Sequence, residues 1–111
     1  MNLVLLFLSG IMLVEHAIIG TNALVKKETV SRTTGIPLAF FEMFYYVILA
    51  VLFPSILLVY FFLFTHVVGG LYYVLKGERS YGKQFYVGYS IFEYVELLFI
   101  VYIVYLALTL P

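Results

Sequence analysis

The chain has 111 residues, of which 65% are hydrophobic and 20% aromatic, with six basic and six acidic side chains that cancel to zero net charge and a mean hydropathy of +1.12. Such a composition belongs to a membrane protein and excludes an ordinary soluble domain. The balanced charge without any basic domain argues against nucleic-acid binding, and the lack of cysteine removes disulfides, thiolate metal sites and CxxC redox chemistry.

Crossing about 30 Å of hydrocarbon takes roughly 20 apolar helical residues. Residues 3–25 meet that length. This stretch has no basic residues ahead of it, and Glu15 and His16 interrupt its apolar core. It therefore reads as a first membrane helix and not as a secretory signal. From Pro37 to Leu75 the chain is apolar for 39 residues, nearly twice one crossing, and Pro54 in "FPS" lacks a backbone donor and disfavours helix at the residue before it. A turn there gives two helices; a kink gives one long helix. A last apolar stretch runs to Leu110.

Charge decides between these topologies, because positive residues in short loops stay on the cytoplasmic side. With four crossings both basic loops, residues 26–36 and 76–83, fall on one side, and the termini and the FPS turn on the other. With three the bias cancels. The expected fold is therefore an all-α integral membrane helical bundle, a single transmembrane domain over 1–111 with helices at about 3–25, 37–53, 54–75 and 84–109. The alternative has three helices, the central one kinked at Pro54. Thr34 or Gly35 is expected to cap the helix that begins near Pro37, and Gly77 to end the third. Tyr72, Tyr73, Tyr81 and Tyr86 are placed at the membrane–water boundary. Both termini are expected to be non-cytoplasmic.

Ionisable residues are concentrated where they cost most. Four of the six acids, Glu15, Glu42, Glu93 and Glu96, lie inside apolar runs, as do both histidines. At 1.5 Å per helical residue, His16 ten before Lys26, His66 ten before Lys76 and Glu93 ten after Lys83 each lie about 15 Å from the charged boundary, near mid-membrane. Glu42 reads as shallower, about five residues into its helix. An isolated charge at that depth costs roughly 2.5 to 3.5 kcal/mol, so these groups are expected to face inward and to pair. Ser9, Met12, His16, Gly20 and Ala23 share one helical stripe; Tyr86, Tyr89, Ser90, Glu93 and Glu96 share another; Glu42 aligns with Tyr45 and Tyr46. His16-x-x-x-Gly20 recurs as His66-x-x-x-Gly70, and the glycine leaves room for a flat ligand or another helix.

Four readings of this constellation follow. Two histidines at matching depth can supply axial nitrogens to a haem iron, making His16 and His66 the candidate cofactor and metal ligands. Around His66, the residues "FTHVVGGLYYVLKG" resemble the haem-b membrane-anchor subunits of succinate dehydrogenase and fumarate reductase. That resemblance implies an anchor role, His66 as haem ligand and a nearby quinone site. A second reading is a proton or cation pathway through Glu15, Glu93 and Glu96 with the histidines as relays, and Glu42, Tyr45, Tyr89 and Ser90 in the same buried polar network. A third is a di-metal carboxylate centre, although its usual Glu-x-x-His pairs are missing. The fourth is a hydrogen-bond network that fastens helices together, with the chain a non-catalytic subunit of a larger membrane assembly or a homo-oligomer surrounded by lipid.

Overall fold

A computed structural model of the protein describes residues 1–29, 32–76 and 83–110. It is all-α, with α1 (Leu3–Val25), α2 (Arg32–Leu52), α3 (Leu57–Lys76) and α4 (Lys83–Thr109), and no strand occurs among the described residues. All four helices are long and apolar enough to cross a membrane, so the chain is an integral multi-pass membrane protein.

Local chemistry sets the ends of α1. The Asn2 side chain accepts a hydrogen bond from the Leu5 N–H at 3.0 Å, satisfying one of the orphan donors of the first turn. At the other end Lys27 takes a φ of 55°, and its Nζ donates to the Leu24 carbonyl at 2.6 Å, covering a terminal acceptor. The three-helix alternative is excluded, because Pro54 sits in a turn between separate helices and not at a kink. In that turn the Ile56 N–H donates to the Phe53 carbonyl and the Tyr60 hydroxyl to the Pro54 carbonyl at 2.7 Å. Accordingly α3 begins at Leu57, three residues later than expected.

The beginning of α2 differs more. It starts at Arg32, five residues before the expected position, and takes Thr34, Gly35 and Pro37 inside the helix. Thr34 and Gly35 are therefore not caps. Proline forfeits one backbone hydrogen bond, a loss least costly near a helix start where few such bonds have yet formed. The anticipated cap at Gly77 and the boundary tyrosine Tyr81 lie outside the described residues, as does most of the second basic loop. Tyr72 is exposed, but Tyr86, also expected at the boundary, is buried at 8% exposure.

Packing divides the chain into two compact units, α1 with α4 and α2 with α3. In the first, the helices run antiparallel. The Asn2 N–H donates to the Ala107 carbonyl at 3.0 Å and the Met1 amino group to the Leu110 carbonyl, so the start of α1 meets the end of α4. Ser9, Met12, His16, Gly20 and Ala23, the expected stripe of α1, are all buried, while Phe7, Val14 and Ile18 are exposed on a surface suited to acyl chains. Between membrane helices lipid removes most of the hydrophobic drive, so close packing and polar bonds hold the pair. Gly20 shows the close approach: a Cβ there would lie 3.2 Å from the Glu93 Cβ.

In the second unit α2 and α3 form a tight antiparallel hairpin. Tyr45, Tyr46, Leu49, Val59 and Phe62 are buried. Tyr46 stacks on Phe62, with ring centroids 5.8 Å apart, and Gly70 lies where a Cβ would press on Met43 and Ala39.

Candidate site: histidine and carboxylate pairs

Each unit holds one histidine on one helix against carboxylate on the other. In the first, Glu93 and Glu96 are one turn apart on α4 and therefore share a face. They bracket the imidazole of His16 on α1: Nδ1 lies 3.0 Å from Glu93 Oε2 and Nε2 lies 2.6 Å from Glu96 Oε2. His16 and Glu96 are fully buried, and the Glu93 side chain is 8% exposed. One turn along, the Ser90 hydroxyl donates to the Gly20 carbonyl at 2.9 Å, tying the same two helices beside the site. His16 and Glu93, each ten residues from a lysine, are thus brought into direct contact.

In the second unit His66 on α3 meets Glu42 on α2, with Nε2 3.0 Å from Glu42 Oε2. Its Nδ1–H donates to the Phe62 carbonyl at 2.7 Å. A carbonyl only accepts, so this bond fixes a proton on Nδ1 and leaves the partner of Nε2 to decide the second. The Tyr46 ring packs against the imidazole, with centroids 4.8 Å apart. The earlier start of α2 corrects the depth of Glu42. Counted from Arg32 it is ten residues in, as Glu93 is from Lys83.

Ser90 serves the Gly20 carbonyl and not a titratable group. Tyr89 is half-buried and stacks on Phe85 with centroids 5.7 Å apart. Tyr45 lies edge-on to Tyr46. Glu15 is buried on α1, and a carboxylate oxygen of it lies within 4.8 Å of a ring nitrogen of His16. The expected network includes Tyr45, yet it is Tyr46 that touches His66. Sequence reasoning also missed the Phe62 carbonyl, one turn before His66, and the Thr21 hydroxyl that pairs with the Tyr94 hydroxyl at 2.7 Å.

The haem reading can be tested on this donor set. Axial ligation needs an imidazole nitrogen directed at the iron. Both ring nitrogens of His16 meet carboxylate oxygens. Those of His66 meet a carbonyl and a carboxylate. As arranged, the histidines do not fit haem ligation unless a carboxylate is given up, and no step is built on that group.

What the arrangement can do is hold protons. The His16–Glu96 hydrogen bond needs one proton, and a second proton placed between Glu93 and His16, 3.0 Å apart, leaves the three groups with one net negative charge. A third proton makes them neutral. The two forms differ by one proton and share the same heavy-atom contacts. No family model, no curated protein and no solved structure matches this chain.

Proposed function

We propose that this protein is a proton-handling component of a membrane assembly, in which the Glu93–His16–Glu96 triad takes up and releases a proton within the membrane span. The observation that carries this reading is the imidazole of His16 with a carboxylate on each ring nitrogen. An imidazole accepts a proton on one nitrogen and yields one from the other, so carboxylates on both sides make it a bridge and not an endpoint. The cost of buried charge favours a triad that shares its protons. The basic loops 26–36 and 76–83 are placed in the cytoplasm and both termini opposite, by the positive-inside rule.

A second reading has a specific observation in its favour. The same contacts, with the Ser90 bond and the close approach at Gly20, fasten α1 to α4. Interhelical polar bonds contribute about 0.6 to 2 kcal/mol each. In that reading the triad is a clasp that keeps one fixed set of protons.

Infrared difference spectroscopy on the purified protein in lipid separates the two. On changing pH, the proton-handling reading expects a carboxylic-acid band to appear and vanish, altered in Glu93→Gln and in Glu96→Gln. A carboxyl spectrum that stays constant across the accessible pH range overturns it and leaves the clasp.

A further inference from the structure

The two sites share more than their residue types. Aligned at an offset of 50, "HAIIGTNALVKKE" from His16 matches "HVVGGLYYVLKGE" from His66 at the histidine, at Gly20 and Gly70, at Lys26 and Lys76, and at Glu28 and Glu78. Lys27, with its left-handed φ of 55°, stands where the second stretch has Gly77, the residue type that conformation favours. At an offset of 51, Phe41-Glu42 matches Phe92-Glu93, and Arg32 matches Lys83. Each histidine thus precedes a lysine by ten residues, and each glutamate follows a basic residue by ten.

Burial repeats in the same register at a set of equivalent positions, though not at Leu5 and Ile19, which are buried where Ser55 and Gly69 are exposed. Ser9 and Val59, Met12 and Phe62, Gly20 and Gly70, and Leu49 and Ile100 are buried at equivalent positions, whereas Ile11 and Phe61, Val14 and Phe64, Ile18 and Val68, and Val47 and Leu98 are exposed. A Cβ on Gly20 would meet Tyr94, and one on Gly70 would meet Met43; Tyr94 and Met43 are counterparts at the offset of 51. The glycine one turn after each histidine therefore receives the helix that bears the glutamate.

From this we infer that the chain is a tandem duplication of a two-helix unit, α1–α2 followed by α3–α4, and that His66–Glu42 is a second proton-binding site of the same descent as His16–Glu93. Each site draws its histidine from one copy and its carboxylate from the other. Among the buried positions at which the copies diverge, one bears on the site. Tyr45 stands where the second copy has Glu96, so the His66 site lacks the second carboxylate; there Glu42 meets Nε2, where its counterpart Glu93 meets Nδ1 of His16, and the Phe62 carbonyl takes Nδ1. The proton chemistry of this second site rests on the function proposed above; the duplication does not.

Exchanging the order of the copies tests the duplication. Unit α2–α3 is closed by the turn at Phe53–Ile56, and the equivalent junction between α4 and α1 is open but adjacent, with the Met1 amino group bonded to the Leu110 carbonyl. A full-length circular permutant joined there by a short glycine–serine linker and opened at Pro54 should insert with undiminished helix content and the same infrared carboxyl bands. A permutant that inserts but loses those bands, or that fails to insert while a linker insertion at Pro54 in the natural order is tolerated, overturns the duplication. For the second site, Glu42→Gln in the natural chain should remove a carboxyl component distinct from those lost in Glu93→Gln and Glu96→Gln. A spectrum unaffected by Glu42→Gln but altered by the other two overturns the second site and leaves the first. A spectrum that none of the three alters overturns the first reading as well, and then helix content alone decides the permutant.

Discussion

His16 Nε2 and Glu96 Oε2 lie 2.6 Å apart across 80 residues of chain, and neither side chain has any exposure. At that separation and depth a proton between the two atoms is required, since a bare lone-pair contact in hydrocarbon costs several kcal/mol. The pair therefore fixes α4 against α1 and defines where a proton resides.

Removing one partner should cost more than neutralising it. His16→Ala leaves two buried carboxylates without their imidazole and is expected to destabilise the α1–α4 pair by about 3 to 5 kcal/mol. Glu96→Gln keeps the size and a hydrogen bond to Nε2, so its cost should stay within about 2 kcal/mol. Reversible unfolding of both variants in mixed micelles checks the order; equal losses would contradict it.

Close approach at Gly20 predicts a contrast with Gly10. A Cβ at Gly20 meets Glu93 and Tyr94, while at Gly10 nothing lies within 4 Å. Gly20→Leu should separate the helices and cost about 1 to 3 kcal/mol, and Gly10→Leu should be close to neutral. The same unfolding assay reads both.

The exposed bond between Thr21 and Tyr94 serves as an internal control. Tyr94→Phe deletes a hydroxyl at the edge of the α1–α4 pair and should cost no more than about 1 kcal/mol. Its carboxyl difference spectrum should match that of the unaltered protein. A changed spectrum would place this hydroxyl within the proton network.

Proton movement itself should follow the triad. In vesicles containing the purified protein, under an imposed pH gradient with potassium and valinomycin, internal pH should relax faster than in empty vesicles. Glu93→Gln or Glu96→Gln should return it to the empty-vesicle rate. Equal relaxation with and without protein would count against a pathway role.

Both ring nitrogens of each histidine have partners, so the purified protein should show no Soret band. A Soret band lost in His16→Ala or His66→Ala would restore the haem reading.

Much of this was legible in the sequence, for reasons that can be named. Helix α1 matches its expected bounds because Asn2 caps it and basic residues close it. The matching heights of His16 and Glu93 on their helices were readable because helical rise converts distance from a lysine into a position along the helix axis. Glu42 was misjudged because Pro37 resembles a first-turn proline, whereas the helix tolerates it in its second turn. Pairing was not readable. Depth places His16 level with Glu93, but whether it meets Glu93 or Glu42 depends on which helices pack, a tertiary choice that single-helix periodicity does not contain. Tyr89 and Ser90 share a stripe with Glu93, yet one stacks on Phe85 and the other satisfies a backbone carbonyl, since a polar stripe records direction and not partner.

The most direct test is through-space nitrogen–carbon correlation by solid-state NMR on the protein in lipid, with isotope labels on histidine nitrogens and glutamate carboxyl carbons and His66→Gln used to isolate His16. The account predicts that His16 Nδ1 correlates with the Glu93 Cδ and Nε2 with the Glu96 Cδ, and that the nitrogen shifts respond when pH is changed. A ring nitrogen of His16 without a carboxylate neighbour, or shifts that never move, would contradict it.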